Sequence, residues 1–225
     1  ELTRGPFLAL KDRIDDQLAE NCGVDRSALR PWHYHDPFFQ EAPEIASSDL
    51  EDPFRDRDIV SIAERFYRSI GMPVEEITAR SDLYERRGKN PHAFCIDVDR
   101  RGDVRILCNI RADIHWMETV LHELGHAVYD KYIDRNRPCL LRTYPHLCLT
   151  EASAMYFGRL AREPRWIGEA MGGEMPRPAS LAEHMRSTAR MKQLVFSRWV
   201  QVMFRFEREL YRDPGRDLNR LWWDL

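Results

Sequence analysis

The sequence feature that most constrains the fold is the stretch of residues 120–128, which reads VLHELGHAV. His122 and His126 stand four positions apart, and Glu123 directly follows the first of them. On an α-helix, residues at i and i+4 lie on the same face, so both imidazoles can point at one metal ion while Glu123 reaches toward it. The remaining residues of the stretch are apolar or small, so no other side-chain charge would compete for the ion. The stretch therefore predicts a helix that carries a metal site.

The H-E-x-x-H spacing is the signature of zinc proteases, and it makes Zn²⁺ the predicted cofactor. In this interpretation His122 and His126 are metal ligands and Glu123 is the catalytic base. A purely structural zinc would prefer four protein ligands, usually with cysteines, and would have no use for Glu123. The alternative interpretation is a core helix whose two histidines only form hydrogen bonds.

A third protein ligand is needed, because catalytic zinc takes three protein ligands and leaves a fourth position to water. Glu151 is the best candidate, since it lies 25 residues after His126 as a lone acid among small and apolar residues, at the start of a second predicted helix. The alternative role for Glu151 is a carboxylate that the dipole of that helix favours near its N-terminus. Asp130 and Asp134 are rival ligands, but both lie too close to His126 in sequence to reach the ion from the other side.

Two histidines and one glutamate around zinc predict hydrolysis. Zinc lowers the pKa of its bound water to about 7 and polarises a carbonyl oxygen. Glu123 would accept the water's proton and pass it to the leaving amine. This chemistry cleaves an amide bond, so the predicted activity is that of a zinc metallopeptidase and the predicted partner is a peptide.

The rest of the chain is helical by pattern, with one exception. Helices are predicted over 7–20, over 57–70, from Asp113 to about Ile133, from about Leu149, and over 181–211. Residues 94–98 and 104–108 read as strands joined by the turn sequence DRRGD, which predicts a β-hairpin. Three prolines and a pair of glycines predict a loop over 163–180. The predicted fold class is mainly α, with a small hairpin.

Composition excludes several classes of partner. The 34 Lys and Arg residues nearly balance the 37 Asp and Glu residues, so nothing indicates a nucleic-acid partner. No run of about 18 apolar residues is present, so no membrane span is expected. The five cysteines are odd in number and follow no C-x-x-C spacing, which favours free thiols in a reducing compartment such as the cytoplasm. The sequence leaves the oligomeric state open.

With these residues the chain resembles the gluzincins, zinc peptidases in which a glutamate on a following helix completes the H-E-x-x-H site. It is most similar to the angiotensin-converting-enzyme family and more distantly similar to thimet-type oligopeptidases. The resemblance runs from about residue 30 to the end of the chain. Besides the site, the matching positions are 63–67, Gly71, Met72, Pro73, His92, Ala93, Asp97, 103–106, Cys108, Leu141, Arg142, Trp222 and Trp223.

The resemblance implies a helical zincin-type catalytic core around a deep channel, with a small sheet beside the zinc helix. Both chain ends look cut, so residues 1–225 are expected to be one region, an internal fragment of a larger metallopeptidase domain with its zinc-site core at about 91–162. The implied activity is hydrolysis of short oligopeptides, as a peptidyl-dipeptidase or an oligopeptidase. His92 and Ala93 would bind the substrate, His92 through its side chain and Ala93 through the backbone of an edge strand.

Some positions depart from that family. Met155 stands where an acid supports a zinc histidine, and Pro91 replaces the cysteine that would pair with Cys108. Asp52 falls near the position of a glutamine that grips the terminal carboxylate of the substrate, and an acid there would repel it. The family's transition-state histidine and tyrosine would fall after Leu225, so this chain alone is expected to be weakly active or inactive. The alternative function is a zinc-containing domain that binds peptides or partners without cutting them.

Overall fold

The computed structural model describes residues 2–34, 36, 38, 52–173 and 179–225, with the backbone alone for 179–181 and 184. This part of the chain is mainly α-helical, which confirms the predicted fold class. The helices are α1 (Arg4–Cys22), α2 (Ile59–Ser69), α3 (Glu75–Thr78), α4 (Ile114–Lys131), α5 (Leu147–Gly158), α6 (Pro164–Ala170), α7 (Ala179–Arg212) and α8 (Leu218–Asp224). The strands are β1 (Phe94–Asp97) and β2 (Val104–Leu107). Single turns of 3-10 helix cover Arg26–Ala28, Pro31–His33, Cys139–Leu141 and Arg159–Arg162.

The chain divides into two compact units, and one of them combines residues 1–49 with 186–225. Apolar side chains of α1 and α7 form the core of this unit, namely Leu10, Ile14, Leu18 and Val195. α1 covers the helix predicted over 7–20 and extends to Cys22, where Gly23 adopts a φ of 64° and its N–H bonds back to the last turn of the helix. None of the helices in the described residues is long and apolar enough to cross a membrane.

The second unit, residues 50–185, contains the larger apolar core and the metal motif. α2 is a strongly amphipathic helix, and its buried face packs against α4. Tyr67 of α2 is fully buried, and its hydroxyl donates a 2.7 Å hydrogen bond to the carbonyl oxygen of Leu121 in α4. A buried hydroxyl needs such a partner, so this bond fixes α2 against the middle of the motif helix.

The predicted hairpin is confirmed. β1 and β2 form an antiparallel two-stranded sheet in which Phe94 pairs with Leu107 and Asp97 pairs with Val104. On the far side of β2, Asp82 forms an isolated parallel bridge to Leu107. Within the described residues no strand pairs with the outer edge of β1.

The register of the hairpin determines which backbone groups lie on that outer edge. The N–H of Val98 donates to the carbonyl oxygen of Asp103 at 3.0 Å, so this pair is a hydrogen-bonded one. Hydrogen-bonded pairs alternate along an antiparallel ladder, which makes Phe94 another residue that faces β2. The backbone groups of Ala93 and Cys95 therefore point away from β2, toward the outer edge.

The loop predicted over 163–180 is wrong in its first half, where α6 forms. Pro164 occupies the first helical position, where its missing N–H would have no partner in any case and its fixed φ already suits a helix. Gly172 and Gly173 follow the helix at φ values of 78° and 75°, so the glycine pair does act as a terminator. Residues 174–178 of the predicted loop lie outside the described residues.

Candidate metal centre

α4 presents both motif histidines on one face. Asp113 caps the helix, since its carboxylate accepts the N–H of Trp116 at 2.7 Å. The ring centroids of His122 and His126 are 4.9 Å apart, and 30% and 13% of the two side chains are exposed. Burial lowers the pKa of both imidazoles, so both favour the neutral form that a metal ion requires.

Two glycines bring α5 unusually close to α4. A Cβ atom on Gly125 would lie 2.7 Å from the Cα atom of Ala154, and a Cβ atom on Gly158 would lie 3.3 Å from the Cβ atom of His122. Real Cβ contacts are not as short as the first of these, so only glycine permits the helices to meet at this distance. The approach places the first turns of α5 opposite the two histidines.

Glu151 is the residue of α5 that faces them. Its Oε2 atom lies 3.7 Å from Nε2 of His122 and 3.7 Å from Nε2 of His126. The three ligand atoms all lie within 4.8 Å of one another. Tetrahedral zinc with bonds of about 2.0–2.1 Å separates neighbouring ligand atoms by about 3.3 Å, so this donor set fits such an ion after small side-chain adjustments. The structure thus brings together the three residues that the sequence predicts as ligands.

The two rival ligands stand apart from this group. Asp134 lies on the exposed loop after α4, and its carboxylate accepts the N–H of Asn136 at 2.9 Å. Asp130 lies beside the ion pair of Asp97 with Arg135, whose atoms are 2.7 Å apart. Burial, with the Asp97 carboxylate nearby, raises the pKa of Asp130 to about 6.

Thr150 is a site residue that the sequence prediction missed. Its Oγ1 atom forms a 2.6 Å hydrogen bond with Nδ1 of His126, and only 3% of the residue is exposed. Because Nε2 of His126 faces Glu151, Nδ1 must carry the proton and donate it to Thr150 for Nε2 to bind a metal. The sequence signal that could have identified it is a hydroxyl-bearing residue directly before the predicted third ligand, Glu151. Met155, at the position where a supporting acid was expected, is 40% exposed.

Glu123 is buried, whereas the side chain of Glu151 is only half-buried. Glu123 is 7% exposed, and burial together with the Glu151 carboxylate raises its pKa to about 7. The free thiols of Cys95 and Cys108 lie near Glu123. Burial raises the pKa of both thiols, so they stay protonated and uncharged. A carboxyl group with a pKa near 7 in this apolar environment is suited to exchange protons near neutral pH.

The residues that the sequence links to substrate binding lie near two different elements, β1 and the start of α4. His92 and Ala93 lie directly before β1, and the N–H of His92 donates to Oδ1 of Asn90 at 2.9 Å. The carboxylate of Asp52 accepts the N–H of Ile114, the first residue of α4, at 2.6 Å and the N–H of Phe54, in its own loop, at 2.8 Å. The first bond gives Asp52 a role at the start of α4 that is independent of any substrate.

A comparison with models of known protein families gives a match. Residues 74–221, well over half of the chain, match the family described as Peptidase family M3. The matched region includes β1, β2, α4 and α5, and therefore every residue of the candidate metal centre. No curated protein matches the chain.

Proposed function

The chain belongs to peptidase family M3, and from this premise we propose that it is a zinc-dependent peptidase of short oligopeptides. Family membership supports the resemblance to thimet-type oligopeptidases that the sequence shows. The closer resemblance to the angiotensin-converting-enzyme family remains a prediction. Family M3 peptidases depend on a metal, and the group of His122, His126 and Glu151 is the observation that carries the proposal.

In the proposed site His122 and His126 bind zinc through Nε2, and Glu151 binds through Oε2. Support comes from the two equal 3.7 Å separations and from the Thr150 hydroxyl, which leaves Nε2 of His126 free for the metal. When bound, zinc would lower the pKa of a water molecule toward 7 and polarise the substrate carbonyl group.

Glu123 is the proposed general base. It follows His122 on α4, and its buried carboxyl group has a pKa of about 7 in the absence of metal. The positive charge of a bound metal would favour the carboxylate form, which is the form that accepts a proton from the attacking water. The same group then returns that proton to the nitrogen of the leaving amine.

The outer edge of β1 is the proposed guide for the substrate backbone. The backbone groups of Ala93 and Cys95 point to this edge, and an extended peptide can pair with them as an added strand. His92, directly before Ala93, would contact the substrate through its imidazole. Main-chain pairing of this kind accepts many sequences, which suits a peptidase of mixed oligopeptides.

The position of cleavage is a finer part of the proposal. Asp52 is committed to the backbone at the start of α4, so it offers no grip for a terminal carboxylate of the substrate. We therefore favour internal cleavage of oligopeptides over release of C-terminal dipeptides. Amidation of the C-terminus of a substrate separates the two modes, because dipeptide release requires the free carboxylate and internal cleavage does not.

The central test replaces Glu123 with Gln. We expect Glu123→Gln to abolish hydrolysis of internally quenched peptides by the zinc-supplemented chain, because the base is lost, while bound zinc stays at one equivalent. Glu85→Gln is the matched control, since Glu85 is exposed and pairs with Arg111 away from the site.

Two results of this test would contradict the proposal. Hydrolysis retained by the Glu123→Gln variant would remove Glu123 from the mechanism. Zinc-loaded wild-type protein that binds peptides and cuts none of them, both as residues 1–225 and as a longer chain that continues past Leu225, would identify a zinc-containing binding domain instead.

A further inference from the structure

The segment that leads into β1 is held by two polar side chains, and Lys89 is the first of them. Its side chain is only 2% exposed. The ammonium group donates to the carbonyl oxygens of Asp82 at 2.9 Å, Tyr84 at 2.8 Å and Cys108, and to the Asp82 carboxylate at 2.9 Å. A buried ammonium group without such partners would be strongly unfavourable, so these bonds determine where Lys89 lies.

Asn109 is the second. It is 8% exposed, and its side-chain amide donates to the carbonyl oxygen of Asn90 at 3.0 Å and to that of Pro91 at 3.2 Å. Both amide hydrogens are therefore used on two successive carbonyl groups. The side chain of Asn90 in turn accepts the N–H of His92, so the orientation of the peptide groups from residue 90 to residue 92 is specified.

Both side chains act at the open end of the hairpin. Cys108 and Asn109 directly follow β2, and residues 89–93 directly precede β1. The turn at Asp99 to Gly102 closes the opposite end, and Lys89 and Asn109 join the two segments of the open end beyond the Phe94–Leu107 pair. Ala93, the first residue with backbone groups on the outer edge, lies between these bonds and that pair.

We propose that Lys89 and Asn109 are positioning residues that form a polar clamp, and that this clamp sets the place and angle at which a substrate peptide meets the outer edge of β1. The inference rests on the proposed function, since it assigns the clamp to the peptide-guiding part of that site. Neither residue belongs to the metal group, so the clamp acts on peptide binding and not on zinc binding.

The test separates this role from a general contribution to stability. Asn109→Asp keeps the shape of the side chain, removes the donor and places a negative charge against two carbonyl oxygens. Lys89→Met keeps the aliphatic stem and removes the ammonium group. Asn136→Asp is the control for the first variant, since Asn136 lies on the exposed loop after α4, and Lys131→Met is the control for the second, since Lys131 bonds Pro73 and Glu76.

Three quantities are measured on chains that also carry Glu123→Gln, so that bound peptide is not consumed. They are the Kd of the zinc-loaded chain for a library of fluorescein-labelled octapeptides, the Kd of the metal-free chain for zinc, and the hydrogen exchange rates of the Phe94 and Val98 amides in the zinc-loaded chain. For each clamp variant we expect peptide Kd to rise at least about tenfold and Phe94 exchange to accelerate by a similar factor. Zinc affinity and Val98 exchange are expected to stay within about twofold of the parent.

The outcomes distinguish a failure of the positioning role of the clamp from a failure of the proposed function. Unchanged peptide affinity in both clamp variants overturns the positioning role. Uniformly faster exchange with weakened zinc binding also overturns it, because Lys89 and Asn109 would then act only through overall stability. A parent chain that binds zinc and no octapeptide overturns the proposed function, and the substrate role of the clamp with it.

Discussion

Replacing Thr150 with Val tests how this chain orients the proposed metal ligand His126. The substitution preserves the shape of the side chain and removes the hydroxyl that bonds Nδ1 of His126 at 2.6 Å. Because Thr150 is 3% exposed, water cannot easily replace the lost hydroxyl. The imidazole would be left with an unpaired N–H and with freedom to rotate or to change its tautomer.

The expected magnitude follows from these contacts. Loss of the partner that orients a metal-binding histidine typically reduces metal affinity by about 10–100-fold, which is about 1.4–2.8 kcal/mol. The unpaired N–H would cost about 1–3 kcal/mol, and part of that cost falls on the metal-free fold. We therefore expect a zinc Kd at least about tenfold higher in Thr150→Val, with a modest fall in the Tm of the metal-free chain.

The assay is competition for zinc against a chromophoric chelator at fixed pH. Thr150→Ser should bind zinc nearly as well as wild type, because it keeps the hydroxyl. Thr119→Val is the matched control, since Thr119 is half-buried and its hydroxyl donates to the carbonyl oxygen of His115, one turn earlier on α4, at 2.9 Å. A folded Thr150→Val chain with the zinc Kd of wild type would show that the Thr150 hydroxyl does not orient His126, and so would equal losses of zinc affinity in the Val and Ser variants.

Two further predictions concern stability. Gly125→Ala is expected to lower the free energy of unfolding by more than about 2 kcal/mol and to weaken zinc binding, since its Cβ would lie 2.7 Å from the Ala154 Cα atom and force α5 away from α4. Gly168→Ala in α6, with nothing within 4 Å of the added Cβ atom, should instead stabilise the folded chain by about 0.5–1 kcal/mol. Urea unfolding of both variants is the measurement. A Gly125→Ala chain of unchanged stability would contradict the close approach of α4 and α5. Asp130→Asn is expected to flatten the pH dependence of stability in the metal-free chain. The folded pKa of Asp130, about 6, exceeds the ordinary value of 3.8, so the stability linked to its protonated form is present below about pH 4 and is lost as the pH rises through 6. Thermal unfolding from pH 4 to 7 that has the same slope in wild type and Asp130→Asn would count against this assignment.

Local features of this chain follow from its sequence because they depend on neighbouring residues. The four-residue spacing of His122 and His126 places both rings on one face of any helix, and Asp113 can cap that helix whatever surrounds it. The hairpin is equally local, since its two strands and their turn lie within fifteen residues of one another. Pro164 shows the limit of such patterns, because proline both breaks helices and begins them, and only the position of the helix decides between the two.

The tertiary structure decided how the separate pieces combine. Glu151 reaches the two histidines because Gly125 and Gly158 allow α4 and α5 to approach until their backbones touch, and no spacing in the sequence specifies that distance. Several contacts join residues at least eighteen positions apart. They are the pairing of Thr150 with His126, the bond of Asp52 to Ile114, the bond of Lys89 to Cys108, and the bonds of Asn109 to Asn90 and Pro91. The sequence predicted the metal-binding chemistry through residue types at helical spacing. The packing of two helices against each other decided which carboxylate joins the metal group and which hydroxyl orients its histidine, because contacts between distant segments depend on the whole core rather than on any local pattern.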